Sequence, residues 1–402
     1  MNIQDFASLR AAEHAEVIVN GEVFDNWETV YVQWQWLQPY PVFRFTCAEQ
    51  LPLPSLWTQM QFEPEEECQV KLAGQLAISG IILVRQTAYD ATNHGVMLQG
   101  VGLQWRVAHA SHQSKDGNFD NMSFIEMAEK ILAPFRDTVW YVPIGNVPSD
   151  KFPHAQYNAG EPIWDFFDRY GRQIGIRIGS DKYGNFLFIG DHSGDLAGRL
   201  VEGQNILSCN AIISVERWFS DIYLRSQENG SDNVNGREAS EQEVHAPGKF
   251  RQYRPIIIPN EEPVTIKMLE ERAEAEKKWL AGTYVNVTIV VQGWICAETG
   301  LLWQPGDLVD VESPMALIMP AMVLAIQTVT FTQDRAKGSL TTLELVAPWF
   351  LNDVNDVNLD NVNAPTEGDN PAKINPDAPQ NPTPPLMKDM TEADIQIEEQ
   401  RP

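Results

Sequence analysis

Residues 157–190, YNAGEPIWDFFDRYGRQIGIRIGSDKYGNFLFIG, constrain the fold most, because they specify a helix and the hairpin that must pack against it. Pro162 fits the first helical turn, where its missing N–H is not needed, and Glu161 suits the positive end of the helix dipole. Ile163, Phe166, Phe167, Tyr170 and Ile174 fall at three- and four-residue steps and share one face. Gly171 and Gly175 bracket the helix end. Ile174, Ile176 and Ile178 then alternate with small or polar residues. Asp181-Lys182-Tyr183-Gly184 supplies a turn, and Phe186, Phe188 and Gly190 begin the return strand. A helix across a hairpin is a small domain core, and the sequence on both sides reads as β-structure of another kind.

Before it, short strands follow one another closely. Val17 and Val19 alternate ahead of an Asn20-Gly21 turn; Val30, Val32, Trp34 and Trp36 run at period two; Val42, Phe43 and Phe45 resume after Pro39 and Pro41. Residues 49–66 read as a proline-bearing surface loop. Further strands follow around a Gly74-Gln75 turn and a turn at Asn93-His94-Gly95, which together describe a small antiparallel barrel. In 106–195, Ser123 and Glu126 form a capping box ahead of an apolar helix that stops at Pro134. After Leu200 the β signal returns, residues 227–249 read as a polar exposed loop, and Val264–Leu280 as a helix with Gly282 just past its end. Tyr284 to Val346 is the densest β block. Residues 84–98 and 325–345 each hold a strand containing Gln-Thr, a Gly-bearing turn and an apolar return strand, the mark of a repeat.

The fold class expected is mainly β with an α+β insert: two similar small antiparallel β-barrels, a helix–hairpin domain and a disordered C-terminal tail. The first barrel spans 1–105 and the peripheral α+β domain 106–195. The second barrel takes 196–232 and 283–350, with a loop-and-helix insertion at 233–282. Residues 351–402 carry eleven acids, three bases and eight prolines, too little apolar surface to order themselves. Within this tail, Thr391–Gln400 reads as a solvated segment or as a short helix that folds on a partner.

The formal net charge of −26 argues against gripping nucleic-acid phosphates, and no basic patch offsets it. Cys47, Cys68, Cys209 and Cys296 form no CxxC pair, so neither a zinc site nor a disulfide framework is indicated. The first residues lack the apolar core of a signal peptide, and the run Met315–Ile326 is too short and too broken by Pro320 to span a bilayer, which needs about 20 residues. A soluble protein made in the cytoplasm, without direct membrane insertion, is expected.

Catalytic constellations are weak. His109 and His112 lie three apart without a third ligand. Asp191, His192 and Asp195 in GDHSGD read as a turn first, with a hydrolytic or metal site as the alternative. Asp116–Asp120 lacks the glycine and closing glutamate of a calcium loop. Glu298 and Asp307 flank Trp303 as exposed hairpin acids, with nothing local to bring them together. No catalytic, cofactor-binding or metal-binding residue is assigned. Trp34, Trp36, Trp57, Trp294, Trp303 and Trp349 in the β blocks suit core, subunit interfaces or a carbohydrate-binding face.

The order of elements resembles the baseplate hub proteins of contractile-tailed bacteriophages, the Mu-like tail hub group, with more distant relatives in T4-like phages and type VI secretion spikes. Residues 96–111, VMLQGVGLQWRVAHAS, resemble the strand and turn that end the family's first barrel, although Gly100-Val101-Gly102 departs from its usual turn. Residues 160–188 resemble the family's helix and hairpin, 201–208 (VEGQNILS) its strand entry, and 300–311 (GLLWQPGDLVDV) its tryptophan–proline–glycine turn. The resemblance covers about 15–350. It marks Gly160, Glu161, Asp181, Gly184, Gly203, Asn205, Trp303, Pro305 and Gly306 as structural positions. It implies a virion protein of the tail baseplate, assembled in the host cytoplasm. Such a hub is a homotrimer that joins the sixfold tail tube protein to the threefold central spike protein and leaves a channel for DNA, with baseplate wedge proteins as further neighbours. A glycan-binding two-domain β protein, or a hydrolase around Asp191, His192 and Asp195, is the alternative.

Overall fold

The computed structural model describes residues 13–48, 63–89, 94–113, 117–227, 241–260 and 264–351. The chain opens with β1 (Ala15–Val19), β2 (Glu22–Phe24), β3 (Thr29–Gln35), β4 (Val42–Ala48), β5 (Glu67–Leu72), β6 (Gln75–Tyr89) and β7 (His94–Gly102). Asn20 and Gly21 both have positive φ, the geometry that lets a two-residue turn follow the twist of β1 and β2. The next tight turn is Ala73-Gly74, one residue earlier than the glycine position alone indicates, and Ala73 itself takes positive φ. The period-two run in β3 buries Val30, Val32 and Trp34.

The middle of the chain forms α1 (Trp105–Ala108), β8 (Met122–Ser123), α2 (Phe124–Leu132), β9 (Tyr141–Ile144), β10 (Lys151–Phe152), α3 (Ile163–Gln173), β11 (Arg177–Ser180) and β12 (Phe186–Ile189). The capping box is formed: Ser123 Oγ accepts from Glu126 N (3.3 Å), and Glu126 Oε2 accepts from Ser123 N (2.7 Å). The apolar face of α3 is wholly inside, and Pro162 stands at its N-cap with extended backbone rather than within the first turn. The hairpin β11–β12 gains a parallel neighbour in β9.

Then follow β13 (Leu196–Val201), β14 (Ser208–Ile213), β15 (Asp221–Gln227), β16 (Glu241–Pro247), β17 (Pro255–Asn260), α4 (Ile266–Gly282), β18 (Val285–Gln292), β19 (Leu308–Ser313), β20 (Ile318–Asp334) and β21 (Gly338–Val346). Part of the stretch read as polar loop is β16, which pairs with β15 along its whole length. Its sequence, EQEVHAP, buries Ala246 and leaves few apolar residues to reveal it. Thr265 caps α4 by accepting from Met268 N (3.3 Å). The tail 351–402, apart from Leu351, lies outside the described residues.

Among the described residues, thirteen strands form one sheet. Its main path runs β14-β18-β21-β20-β3-β4-β7-β6-β5-β1-β2, with β19 on β20 and β13 parallel to β19. The two β blocks, expected as two similar small antiparallel β-barrels, share this sheet, and among the described residues no part of it closes on itself. The cause is the seventeen-residue β20. Its beginning pairs with β19, while its end, Thr328–Gln333, pairs with β3.

The repeat is real in the backbone but displaced from its sequence cue. The set β5, β6, β7, β4, β3 has the same pairings as β19, β20, β21, β18, β14. The first set has a bulge between Ile82 and Val84, the second between Ile326 and Thr328. Superposing the bulges equates Val84 with Thr328, so Gln86-Thr87 and Gln327-Thr328 are not equivalent.

The sheet has one core, to which both repeats contribute Val32, Phe43 and Ile82 as well as Val287, Ile326 and Phe331. A second core unites α2, α3, the β11–β12 hairpin, β15 and α4 through Phe124, Phe167, Phe188, Leu224 and Met268. A smaller cluster of Trp36, Leu187, Ile189, Leu308, Ala325, Val346 and Leu351 joins the hairpin to the sheet.

Candidate functional site

That joint gathers several of the motif positions. Asp181 organises the hairpin turn: its carboxylate accepts from Tyr183 N (2.9 Å), Asn185 N (2.8 Å) and Asn185 Nδ2 (3.0 Å). Gly184, at φ +104°, sits where a Cβ would meet the Leu103 side chain at 3.1 Å. The turn is held from below by the buried Gln104, whose Nε2 donates to the carbonyls of Asp181 (2.8 Å) and Asn185 (3.0 Å). Ser79 N donates to Lys182 O (2.7 Å), and Trp34 Nε1 donates to Ser180 O (3.1 Å). The hairpin is therefore bonded to β3, to β6 and to the residues after β7.

The tryptophan–proline–glycine turn closes the other side of the joint. Trp303, Pro305 and Gly306 are buried. Gly306 N donates to Ile326 O, Ile326 N donates to Asp307 O (2.8 Å each), and Gly306 at φ +90° lies under the Trp36 ring. The remaining motif positions lie elsewhere. Gly160 and Glu161 precede α3, where Glu161 takes two hydrogen bonds from Arg169. Gly203 and Asn205 shape the link after β13, where Asn205 Oδ1 accepts from Val201 N (2.8 Å) and its Nδ2 donates to Arg199 O (2.8 Å). The sequence marks Trp36 only as one of the β-block tryptophans and does not mark Gln104. No local pattern marks these contacts, since the partners are 77 or more residues away.

The candidate chemical groups do not assemble. Asp191 pairs with Lys278 (3.1 Å), and neither ring nitrogen of the inward-facing His192 has a hydrogen-bond partner among the described residues. The His192 ring lies 5.7 Å from that of Trp36. His109 bonds Tyr40 Oη (2.9 Å), while His112 packs on Phe119 and Tyr157, and burial lowers its pKa. Asp120 pairs with His154; Asp116 lies outside the described residues. Among the described residues, no group of three or more His, Cys, Asp or Glu side chains is placed to hold a metal. Glu298 accepts from Cys296 Sγ (3.2 Å), whereas Asp307 faces Asp195. Trp34, Trp36, Trp294 and Trp303 are buried, which removes them from any sugar-binding face; Trp57 lies outside the described residues. No described helix is long and apolar enough to cross a membrane.

Among the described residues, Asp307 is the one carboxylate with a strongly moved pKa, pushed up to about 6 by burial and by the Asp195 charge, against the opposing pull of Lys182. The folded chain thus holds this proton more tightly than the unfolded chain. Stability falls as pH rises between about 4 and 6, and the penalty persists at neutral pH. Asp307→Asn is expected to stabilise the protein at pH 7 by about 1–3 kcal/mol, with little effect at pH 4. Urea unfolding at the two pH values checks this.

The described architecture has known counterparts. Residues 14–102 match the family model for the N-terminal part of the Mu phage baseplate assembly protein GpP-like group. The baseplate hub protein gp44 of Escherichia phage Mu is 22% identical over 291 residues, covering 70% of this chain and 75% of that protein. The chain is similar to the baseplate hub of phage Mu. A 43 kDa tail protein of prophage MuSo2 from Shewanella oneidensis has the same fold, with a TM-score of 0.69 at 20% identity over 85% of this chain and 99% of that one. A tail protein from Neisseria meningitidis gives 0.69 at 19%, over 84% and 98%. An E. coli type VI secretion component described as similar to the T4 tail proteins gp27 and gp5 gives 0.53 at 14%, over 83% and 76%. These relatives carry the names of tail, baseplate and secretion-system proteins, and the solved ones share the fold of this chain.

Proposed function

We propose that three copies of this chain form the hub of a contractile-tail baseplate. The observation that carries this reading is the duplication inside the sheet: two equivalent five-stranded sets per chain give six in a trimer. A threefold object then presents six similar surfaces to a sixfold tail tube at one end and seats a threefold spike at the other. The small barrels expected within 1–105 and within 196–232 with 283–350 are completed on assembly, since among the described residues each repeat in the single chain is open. The segment 106–195 forms the periphery, together with the insertion at 233–282. The motif positions at Asp181, Gly184, Trp303, Pro305 and Gly306 hold it against the ring, and Gly160, Glu161, Gly203 and Asn205 fix the turns beside it. The excess of acids keeps DNA phosphates from adhering to the central passage. Assembly takes place in the host cytoplasm before wedge proteins join.

Native mass spectrometry tests this. A species of three 45.3 kDa subunits is expected, alone or as a 3:3 complex with the spike protein of the same phage. A monomer in both experiments overturns the reading.

A further inference from the structure

The net charge of −26 conceals one pocket in which arginine predominates. Its wall comes from three places: Ser214, Glu216 and Arg217 just after β14, Arg254 from the link between β16 and β17, and Thr283 at the C-cap of α4. It encloses about 390 Å³. The link is fastened to the residues before β15. Gly248 N donates to Ser220 O (2.8 Å), Phe250 N to Phe219 O (3.0 Å) and Ser220 N to Arg254 O (3.0 Å). Both guanidinium groups rest on aromatic faces. Arg254 lies over Phe219 (4.9 Å) and Phe250 (5.7 Å), and its Nη1 donates to Trp218 O (3.1 Å). Arg217 lies over Trp279 (5.2 Å); among the described residues it donates no hydrogen bond and forms no ion pair. Guanidiniums ordered on rings keep their N–H edges for a planar acceptor. Ser214 Oγ accepts from Glu216 N (3.2 Å), which leaves its proton to donate, whereas Thr283 Oγ1 donates to Leu280 O (2.7 Å). Glu216 is the opposing charge, so two guanidiniums against one carboxylate leave the wall with a single net positive charge. Around Arg254, residues 248–260 hold three bases and no acid, and Tyr253 is 85% exposed.

We propose that this pocket receives one aspartate or glutamate side chain from an acidic segment of another protein. Arg217, Arg254 and the Ser214 hydroxyl bind the carboxylate through charge-assisted hydrogen bonds. Tyr253, next to Arg254 in the same link, offers its ring to the residues flanking that acid. Because the arginines are already ordered, little side-chain freedom is lost on binding. Glu216 sets the selectivity. One carboxylate neutralises the wall, whereas a phosphate dianion reverses its charge on a chain that is already strongly acidic. A nucleic-acid backbone, gripped only through many phosphates at once, meets that acidity over its whole length. In the ring reading the insertion at 233–282 is peripheral, so the segment belongs to another baseplate protein rather than to a second copy. This choice of source rests on that reading; the carboxylate chemistry does not.

Calorimetry on the full chain tests it, with a blocked hexaglutamate peptide as the probe and hexaglutamine as the uncharged control, at low salt. Hexaglutamate alone is expected to bind. Arg217→Gln, which removes no hydrogen bond of the fold, is expected to weaken it about tenfold. Lys130→Gln makes the same charge change at an exposed position on α2 and is expected to weaken it less than about twofold. Arg254→Lys keeps the charge but loses the planar fork, so it also weakens binding. Glu216→Gln is expected to tighten binding and to let inorganic phosphate compete, which it does not do against the unmodified chain. Equal losses for Arg217→Gln and Lys130→Gln would mean diffuse attraction and overturn the pocket. So would the absence of hexaglutamate binding, or displacement of the peptide from the unmodified chain by phosphate or by a short DNA duplex. Hexaglutamate binding with the expected losses, in a chain that native mass spectrometry finds monomeric alone and with the spike protein, keeps the carboxylate pocket and overturns the ring reading together with the assignment to a baseplate partner.

Discussion

Gly306→Ala is expected to destabilise the folded chain by about 3–5 kcal/mol, through two separable effects. The backbone at φ +90° disfavours any Cβ, which costs about 1–2 kcal/mol. The new methyl would also stand 2.6 Å from the Trp36 ring, held between the 305–307 turn and the hairpin. Gly179 presses on the carbonyl of Trp36 from the hairpin side, where a Cβ would come within 2.2 Å, so the tryptophan has little room to retreat. Gly300→Ala separates the effects. Gly300 also has positive φ, but a Cβ there meets nothing within 4 Å, so only the backbone cost of about 1–2 kcal/mol is expected. Denaturant unfolding of the two variants measures both. Equal losses would mean that the ring contact contributes nothing.

Breaking the Glu161–Arg169 pair is the second large effect. Arg169 donates from Nε (2.9 Å) and from a terminal nitrogen (2.7 Å) to the two oxygens of Glu161, and the side chains are only 10% and 23% exposed for Glu161 and Arg169. Glu161 Oε2 also accepts from Asn158 N (3.0 Å), and the guanidinium lies 4.5 Å over the Tyr170 ring. Glu161→Ala takes two charge-assisted hydrogen bonds from a half-buried cation that also bonds the carbonyl of Gln156, and is expected to cost about 3 kcal/mol. The double variant Glu161→Ala/Arg169→Ala is expected to cost less than the sum of the singles, because removing both charges removes the uncompensated one. Additivity in a double-mutant cycle would refute the coupling.

The local features were legible because their causes are local. The face of α3, the Ser123–Glu126 box and the Asn20-Gly21 turn each depend on residues within a few positions of one another, and each lies where those residues place it. The turn chemistry of Asp181–Gly184 and Pro305-Gly306 was visible too. What these turns dock against was not, because Trp36, Leu103 and Gln104 are remote from them in sequence. The β16 strand was missed because a polar strand covered on one side by few apolar residues has the composition of a loop. Similarly, the two Gln-Thr pairs pointed to a true repeat in the wrong register, because the equivalence is set by backbone bulges at Leu83 and Gln327 that no residue type announces. The union of both β blocks in one sheet depends on which neighbour each end of β20 takes, a choice made only in three dimensions.

The β3–β20 joint also sets an order of events during synthesis. Gln33 and its partner Thr330 are 297 residues apart, so β3 leaves the ribosome long before the strand that covers it. At about 5–20 residues per second, its edge waits roughly 15–60 s for that partner. Throughout that interval the nascent first repeat presents Val30, Val32 and Trp34 along an unpaired edge, and translation of several copies on one message brings such edges close together. Premature strand exchange between nascent chains, rather than slow closure of the finished sheet, is therefore the step at which chaperone binding has most to protect.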